Sequence, residues 1–236
     1  MVHIVATGAG KVMMDRRTDP THAYVLELTG KQRPRVLFLG TATGDRPDYI
    51  LSYYQTFDAD RCAPHHLPLF ARDRDDLTDW ITGFDVIHVG GGNTANMYDV
   101  WHRQGVDTIL RDMFADPANT DVVFTGGSAG GICWFEGGTT DSYGPTLRLL
   151  PEGLGLVPGS FSPHYDAEDQ RRPLVHGALL SGELPAGWAC GNLDSLHFDG
   201  TAFVEAVSTA PTPLALRLDV VDGEVVETPL DVRTLT

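Results

Sequence analysis

The sequence predicts an α/β fold, in which a mostly parallel sheet is flanked by helices and followed by an antiparallel C-terminal extension. Two observations support this prediction. Up to about residue 136, short apolar runs alternate with longer helix-compatible stretches, and runs that are apolar throughout are typical of parallel strands covered on both faces. Beyond that point, short strand-like runs and turns rich in Gly and Pro dominate.

The individual elements follow in order from the apolar runs and the turn signals between them. In the first part, the predicted strands are residues 2–7, 35–40, 65–69, 85–89 and 122–125, and the predicted helices are residues 19–29, 49–57, 75–82, 94–103 and 106–115. Thr21 lies near the expected N-cap of the first helix. In the second part, the predicted strands are residues 202–207, 214–218 and 224–228. Asp222 and Gly223 stand between two valine pairs and indicate a two-residue hairpin turn.

Composition limits the class of protein. The 236 residues fit one domain, residues 1–236, and a hydrophobic content of 42% is enough for a core. The net charge of −15 repels phosphate backbones and argues against nucleic acid as a partner. No run of 18 apolar residues and no signal-peptide pattern occur, so we expect no contact with a membrane. The three separated cysteines, Cys62, Cys133 and Cys190, form no Cys-x-x-Cys pair and favour a reducing, cytoplasmic setting.

Residues 126–130 read Gly-Gly-Ser-Ala-Gly directly after an apolar run, which is the pattern of a nucleophile elbow. In such a strand–turn–helix unit, a strained turn lifts one side chain, here Ser128, above the end of a sheet. Glycines flank it because a side chain there would clash with the neighbouring elements. The N–H of Ala129 would then be available to a developing oxyanion. The alternative interpretation is a glycine-rich turn that contains an ordinary serine.

A second glycine-rich loop, residues 90–93, follows the apolar strand 85–89. Ligands of open α/β sheets bind at such C-terminal strand ends. Consecutive glycines let backbone N–H groups face an anion, so this loop is a candidate for the other half of an oxyanion hole. The alternative is a tight turn in which Asn93 caps the next helix. Neither a complete G-x-G-x-x-G fingerprint nor a P-loop occurs, and we predict no cofactor and no metal.

A serine needs a base to act near neutral pH. Among the nine histidines, His164 is the best candidate, because it follows Pro163 in a turn-rich stretch after Ser128. The alternative is a histidine in a surface loop. An acid usually holds such a base in the required tautomer. The candidate acids, among which the residues alone do not choose, are Asp141, Glu136, Asp166, Glu168 and Asp194.

Together these pieces resemble the aspartyl dipeptidase (peptidase E) and cyanophycinase family of serine peptidases. The matching segments are residues 40–43 (Gly-Thr-Ala-Thr), 90–94 (Gly-Gly-Gly-Asn-Thr), 127–130 (Gly-Ser-Ala-Gly), 139–141 (Thr-Thr-Asp) and 155–165, in the order of the family. The remaining C-terminal residues match only loosely. The resemblance implies a fold like that of the class I glutamine amidotransferases, with serine in place of their cysteine.

The resemblance also implies roles for individual residues. Ser128 is the expected nucleophile, His164 the general base, and the N–H groups of Gly92 and Ala129 the oxyanion donors. Asp141 matches the position of the acidic third member in the dipeptidases. Two further carboxylates remain alternatives for that role, Glu136 and Glu168.

For the substrate, the resemblance implies a short peptide, and we expect a dipeptidase that prefers an N-terminal Asp. Such an enzyme needs a cation for the side-chain carboxylate, and Arg171 and Arg172 follow the candidate base. The alternative for both is an exposed loop position. Asn93 is the third residue predicted to bind substrate. The elbow departs from the Gly-Trp-Ser-Ala-Gly-Ala form common in the dipeptidases, because Gly127 and Gly131 replace its tryptophan and last alanine.

Two other functions stay open at this point. The first is an esterase or amidase with the same mechanism, and the second is a binding protein that keeps the fold without the chemistry. The sequence leaves the oligomeric state open, a homodimer included.

Overall fold

Two β-sheets and the helices around them make up the computed structural model, which describes residues 1–9 and 19–236. In chain order, the strands are β1 (His3–Thr7), β2 (Arg35–Leu39), β3 (Ala63–His66), β4 (Val86–Val89), β5 (Val123–Gly127), β6 (Phe135–Thr140), β7 (Arg148–Leu150), β8 (Val157–Ser162), β9 (Gly187–Cys190), β10 (Asp194–Asp199), β11 (Ala202–Ser208), β12 (Ala215–Val221), β13 (Glu224–Pro229) and β14 (Val232–Thr234). The helices are α1 (Pro20–Glu27), α2 (Pro47–Thr56), α3 (Leu77–Ile81), α4 (Thr94–Gln104), α5 (Val106–Ala115), α6 (Ala129–Ile132) and α7 (Arg171–Ser181). None of the helices described here has the length and apolar content that crossing a membrane requires.

The first sheet has eight strands in the order β14-β11-β10-β1-β5-β4-β2-β3. Strands β1, β5, β4, β2 and β3 run parallel to one another. Strand β10 joins this parallel block by antiparallel pairing with β1, and β11 pairs with β10 in the same way. The prediction of a mostly parallel sheet flanked by helices is confirmed.

This first sheet is covered on both faces, which explains why its strands are apolar throughout. On one face, Tyr53 and Phe57 of α2 pack with Val36 and Val123 of the sheet. On the other face, the ring of Phe124 stacks on Trp134, which follows α6, with ring centroids 5.0 Å apart. The strands of this sheet bury their apolar side chains only because helices or following segments cover both of its faces.

The predicted antiparallel C-terminal extension is confirmed for the strands β11, β12 and β13, while the second sheet also has a parallel centre that the sequence did not predict. The second sheet has six strands in the order β13-β12-β9-β8-β6-β7. Its centre is parallel, because β6 pairs with β8 and β8 with β9 in that sense, and only its flanks are antiparallel. The C-terminal strands are therefore divided between two sheets. Such long-range pairing depends on which surfaces meet in the folded chain and leaves no local signal in the sequence.

Local signals account for several element ends. The carboxylate of Asp19 accepts a hydrogen bond from the N–H of Thr21 at 2.8 Å, so Asp19 is the N-cap of α1, and the prediction of a cap near Thr21 is confirmed. The predicted hairpin is confirmed, since Asp222 and Gly223 have φ angles of 53° and 80° between β12 and β13. The strand predicted at residues 65–69 was wrong in its bounds, because pairing with β2 begins at Ala63.

The stacked pair Phe135 and Phe161 ties the two parallel central strands β6 and β8 together, with ring centroids 4.9 Å apart. Both side chains are fully buried. We expect Phe161→Ala to lower the free energy of unfolding by about 3–5 kcal/mol, because it removes a buried ring and leaves a cavity. The exposed Val204 gives the control, since Val204→Ala should change stability by no more than about 0.5 kcal/mol. Chemical denaturation measures both, and similar losses in the two variants would contradict this account of the core.

Candidate active site

The predicted elbow is present as a strand, a strained residue and a short helix. Ser128 lies between β5 and α6 with φ 55° and ψ −115°, a backbone conformation that a non-glycine residue rarely adopts. A Cβ atom on Gly126 would lie 2.4 Å from the carbonyl oxygen of Val89, and one on Gly130 would lie 2.1 Å from the same atom. The two outer glycines of the motif are therefore required because the elbow packs backbone to backbone against β4.

His164 reaches the elbow from the second sheet. It follows β8 with φ 55°, and its backbone N–H donates to the carbonyl oxygen of Gly8, at the end of β1, at 3.2 Å. Its Nε2 atom lies 2.8 Å from the Oγ atom of Ser128, within hydrogen-bond reach. Both side chains are half-buried. The structure thus brings together the predicted nucleophile and the predicted base.

The other ring nitrogen of His164 contacts a residue that the sequence did not single out. Its Nδ1 atom lies 2.6 Å from Oδ1 of Asn192, in the short connection between β9 and β10. An amide oxygen only accepts hydrogen bonds, so it selects the tautomer with a proton on Nδ1. In that tautomer Nε2 carries a lone pair and accepts the hydroxyl proton of Ser128.

The connection that carries Asn192 is itself held by a carboxylate. The N–H of Asn192 donates to Oδ1 of Asp166 at 3.0 Å. At Gly191 a Cβ atom would lie 2.6 Å from the carboxylate of Asp194 and 2.8 Å from that of Asp166, so only glycine fits between them. Asp166 and Asp194 were candidates for direct contact with the base, but neither contacts it. Asp166 binds the backbone of Asn192, and Asp194 accepts a hydrogen bond from the N–H of Leu214 at 3.0 Å.

None of the three carboxylates predicted as the acidic member is hydrogen-bonded to His164. Asp141 is exposed at the end of β6. Glu136 is exposed on the same strand and accepts a hydrogen bond from the N–H of Gly159 at 2.8 Å. Glu168 lies 2.9 Å from the guanidinium of Arg171. The prediction of an acidic partner is corrected, because the amide oxygen of Asn192, and none of these carboxylates, lies beside Nδ1.

The surroundings of His164 favour the neutral ring. Burial lowers the pKa of the imidazole, the hydrogen bond that its Nδ1–H donates to Asn192 raises the pKa, and the positive charge of Arg171 lowers it. The carboxylates of Glu168 and Asp141 raise it. The resulting pKa lies below the ordinary value for histidine, so the ring is unprotonated and able to accept a proton at neutral pH.

The two predicted oxyanion donors are Ala129, which directly follows the nucleophile, and Gly92 in the glycine loop. Ala129 is the first residue of α6, so its N–H has no acceptor within the helix. Gly92 has φ 139°, and a Cβ atom there would lie 2.4 Å from the carbonyl oxygen of Ala42. Its neighbour Gly91 lies against the elbow, since a Cβ atom on Gly91 would be 3.4 Å from Cβ of Ser128.

The predicted substrate-binding residues lie in three different environments. The side chain of Asn93 caps α4 by accepting from the N–H of Asn96 at 2.8 Å, and its Nδ2 donates to the carbonyl oxygen of Ser142 at 2.8 Å. The helix-cap interpretation is therefore correct. Arg172 is exposed and turned towards Glu227, with Nε 3.1 Å from Oε1. Both side chains are thus engaged within the protein, and their binding of substrate stays a prediction.

Arg171 is the buried member of the arginine pair, with 3% of its surface exposed. Its Nη1 atom donates to the backbone oxygen and to Oγ1 of Thr139, both at 2.8 Å. Its positive charge lowers the pKa of His164. Among the residues that the structure describes, no group of three or more His, Cys, Asp or Glu side chains could hold a metal ion.

Comparison with known proteins identifies the family and supports the fold. Residues 4–205 match Peptidase family S51. A protein of Bacillus subtilis (strain 168), named as the uncharacterized peptidase YgaJ, is 39% identical over 235 residues and is covered along 100% of both chains. A solved structure from Listeria monocytogenes EGD-e, named as a candidate peptidase E protein, has a TM-score of 0.63 and an identity of 17%, with 89% of this chain and 100% of that chain covered. At that identity the second likeness shows the fold alone.

The neutral partner of His164 leads to a prediction about protonation. We expect Asn192→Asp to raise the pKa of His164. A carboxylate beside Nδ1 stabilises the imidazolium form through its negative charge, whereas the amide of asparagine is neutral. NMR titration of the His164 ring measures the shift. The control is Asn119→Asp, since Asn119 lies in the connection after α5 and its side chain donates to Met113. An equal shift in both variants, or none at position 192, would contradict the contact.

Proposed function

The chain belongs to Peptidase family S51 and is a peptidase, and from this premise we propose that it is a serine peptidase that hydrolyses short peptides through an acyl-enzyme. One observation carries the proposal. Ser128 stands on a strained elbow with its Oγ 2.8 Å from Nε2 of His164, and Asn192 orients the far side of that ring. This is the arrangement of an activated serine, a base and an orienting group.

In the first half of the reaction, the Oγ atom of Ser128 attacks the carbonyl carbon of the scissile peptide bond. His164 accepts the hydroxyl proton on Nε2 and becomes an imidazolium ion, whose Nδ1–H remains bonded to Asn192. The carbonyl oxygen becomes an oxyanion. The N–H groups of Gly92 and Ala129 bind it, and donors fixed in place before the reaction need no reorganisation when the charge develops.

Collapse of the tetrahedral intermediate breaks the peptide bond. His164 donates its Nε2 proton to the leaving amine, and Ser128 is left as an acyl ester. Water then enters, gives a proton to the same nitrogen and attacks the ester carbonyl. A second collapse releases the acid and returns the proton to the serine oxygen. A pKa below the ordinary histidine value suits both steps in which His164 acts as a base.

For the substrate, we propose a dipeptide with Asp at its N-terminus. The support is Arg171, a buried guanidinium whose Nε pairs with Glu168 and whose Nη1 donates to Thr139, while its Nη2 atom donates to none of the described residues. Arginine binds carboxylates by paired hydrogen bonds, and burial strengthens such contacts. We do not assign this role to Arg172, because it is exposed and water competes for its hydrogen bonds.

We also propose a reducing, cytoplasmic setting for the enzyme. The three cysteines, Cys62, Cys133 and Cys190, are all free and buried. Burial raises the pKa of each thiol, which keeps the sulfur protonated and unreactive.

The mechanism is tested by removing the nucleophile. Ser128→Ala should lower kcat/KM for peptide hydrolysis by about four orders of magnitude or more, because no other group forms the acyl-enzyme. Hydrolysis of a panel of dipeptides and esters, with the cleaved products quantified, measures the loss. Ser181→Ala is the control, since Ser181 lies at the exposed end of α7 and should leave the rate unchanged. Unaltered hydrolysis by the Ser128 variant would sink the proposal.

The two neighbouring arginines provide a test of specificity. The ratio of kcat/KM for Asp-Leu to that for Asn-Leu should exceed unity in the native enzyme and fall by about tenfold or more in Arg171→Gln, since a charge-assisted contact contributes about 1.5–3 kcal/mol. In Arg172→Gln the ratio should stay constant. A ratio compares two substrates on one protein, so partial misfolding does not change it. A native enzyme without preference for Asp-Leu, or equal effects at both arginines, would exclude Arg171 as the specificity residue.

A further inference from the structure

Tyr49, a residue of α2 that the reaction scheme does not use, lies directly behind the glycine loop of the oxyanion hole. It is 8% exposed, and its ring packs against Phe38 with centroids 5.8 Å apart. On its other side it touches the loop, because a Cβ atom on Gly90 would lie 2.8 Å from Cε1 of the tyrosine. The ring therefore lies between Phe38 and the glycine loop and packs against both.

The hydroxyl group of Tyr49 makes a specific contact with this loop. It accepts a hydrogen bond from the backbone N–H of Gly91 at 3.3 Å. Gly91 is buried, so this N–H would be unpaired without the hydroxyl, and a buried unpaired amide is costly. On its opposite side Gly91 faces the elbow, where a Cβ atom would lie 3.1 Å from the carbonyl oxygen of Gly127.

The loop is also fixed one residue further along the chain. The N–H of Asn93 donates to the carbonyl oxygen of Ala42 at 2.8 Å. The N–H of Gly92 thus lies between two anchored amides, one held by Tyr49 and the other by Ala42. Gly92 has a φ of 139°, which glycine tolerates and other residues avoid. Because glycine has no side chain, the orientation of this peptide depends on the anchored amides on either side of it.

We infer that Tyr49 is a positioning residue of the oxyanion hole, whose hydroxyl group fixes the Gly91 amide and thereby aims the Gly92 N–H at the developing oxyanion. The inference rests on the proposed serine mechanism. Tyr49 acts through Gly91 and Gly92 and touches no reacting atom. Its loss should therefore affect the transition state, in which the oxyanion exists, and leave binding of the uncharged carbonyl group unchanged.

The matched control lies one helical turn away on the same helix. Tyr53 is fully buried, stacks on Phe38 with centroids 4.7 Å apart, and donates its hydroxyl hydrogen to the carbonyl oxygen of Val36 at 3.0 Å. Tyr49→Phe and Tyr53→Phe each delete one buried hydroxyl and one hydrogen bond to the backbone. They differ in that only the first bond reaches the glycine loop.

Steady-state kinetics on a cleaved dipeptide, with Tm measured for each variant, tests the inference. Tyr49→Phe should lower kcat by about tenfold with KM unchanged, since full loss of one oxyanion donor costs about 10²–10³-fold and this variant only loosens it. The pH at which activity falls on the acid side should not move, because the surroundings of His164 are untouched. Tyr53→Phe should keep the kcat of the native enzyme, while its Tm should fall by about as much as that of Tyr49→Phe.

Three outcomes would overturn the role of Tyr49: a kcat within twofold of the native value, a rise in KM at constant kcat, or an equal loss of kcat in Tyr53→Phe. Ser128→Ala, assayed in parallel, separates this failure from failure of the serine mechanism. Activity that is abolished in the Ser128 variant but intact in Tyr49→Phe leaves the mechanism standing and removes only the positioning role.

Discussion

The site depends on a backbone contact between β4 and the elbow that leaves no room for a side chain. Gly126 and Gly130 both lie against the carbonyl oxygen of Val89, at distances where a Cβ atom would clash. This contact lets α6 begin directly above the end of β4 and forces Ser128 into its strained backbone conformation. It also places Gly91 of the following loop beside the nucleophile. One close approach therefore sets the position of the serine and of both proposed oxyanion donors.

A second close approach brings the base. Gly8 ends β1, its carbonyl oxygen accepts the N–H of His164, and its own N–H donates to Asp194. A Cβ atom on Gly8 would lie 1.9 Å from the carbonyl oxygen of Gly191, the residue before Asn192. The end of the first sheet thus touches the chain that carries the base and the chain that orients it. Because each partner comes from a different sheet, the catalytic geometry requires both sheets to be folded.

The sequence was sufficient to predict those parts of the site whose conformation is determined by neighbouring residues in the chain. The elbow, the glycine loop and His164 were found because glycine spacing and a turn-rich stretch record their conformations directly. Asn192 was missed because its role depends on a contact with a histidine 28 residues earlier in the chain, and nothing in the local Gly-Asn-Leu-Asp segment indicates it. The acidic candidates failed for the complementary reason. A carboxylate near the motif, such as Glu136, is a good candidate until the strand shows that its side chain is exposed and bound to Gly159.

Because the partner of the base is neutral, other groups have to stabilise the charges that form in the transition state. Asparagine selects the tautomer that a carboxylate would select, but it offers no charge to the imidazolium ion that forms in the transition state. Burial then dominates and keeps the pKa of His164 below the ordinary value, so the base is ready while its protonated form is less stabilised. In the proposed mechanism, stabilisation of the transition state therefore depends mainly on the proposed oxyanion donors, the N–H groups of Gly92 and Ala129. Close backbone contacts of Gly126 and Gly130 with β4, and of Gly92 with Ala42, fix the segments that carry these proposed donors.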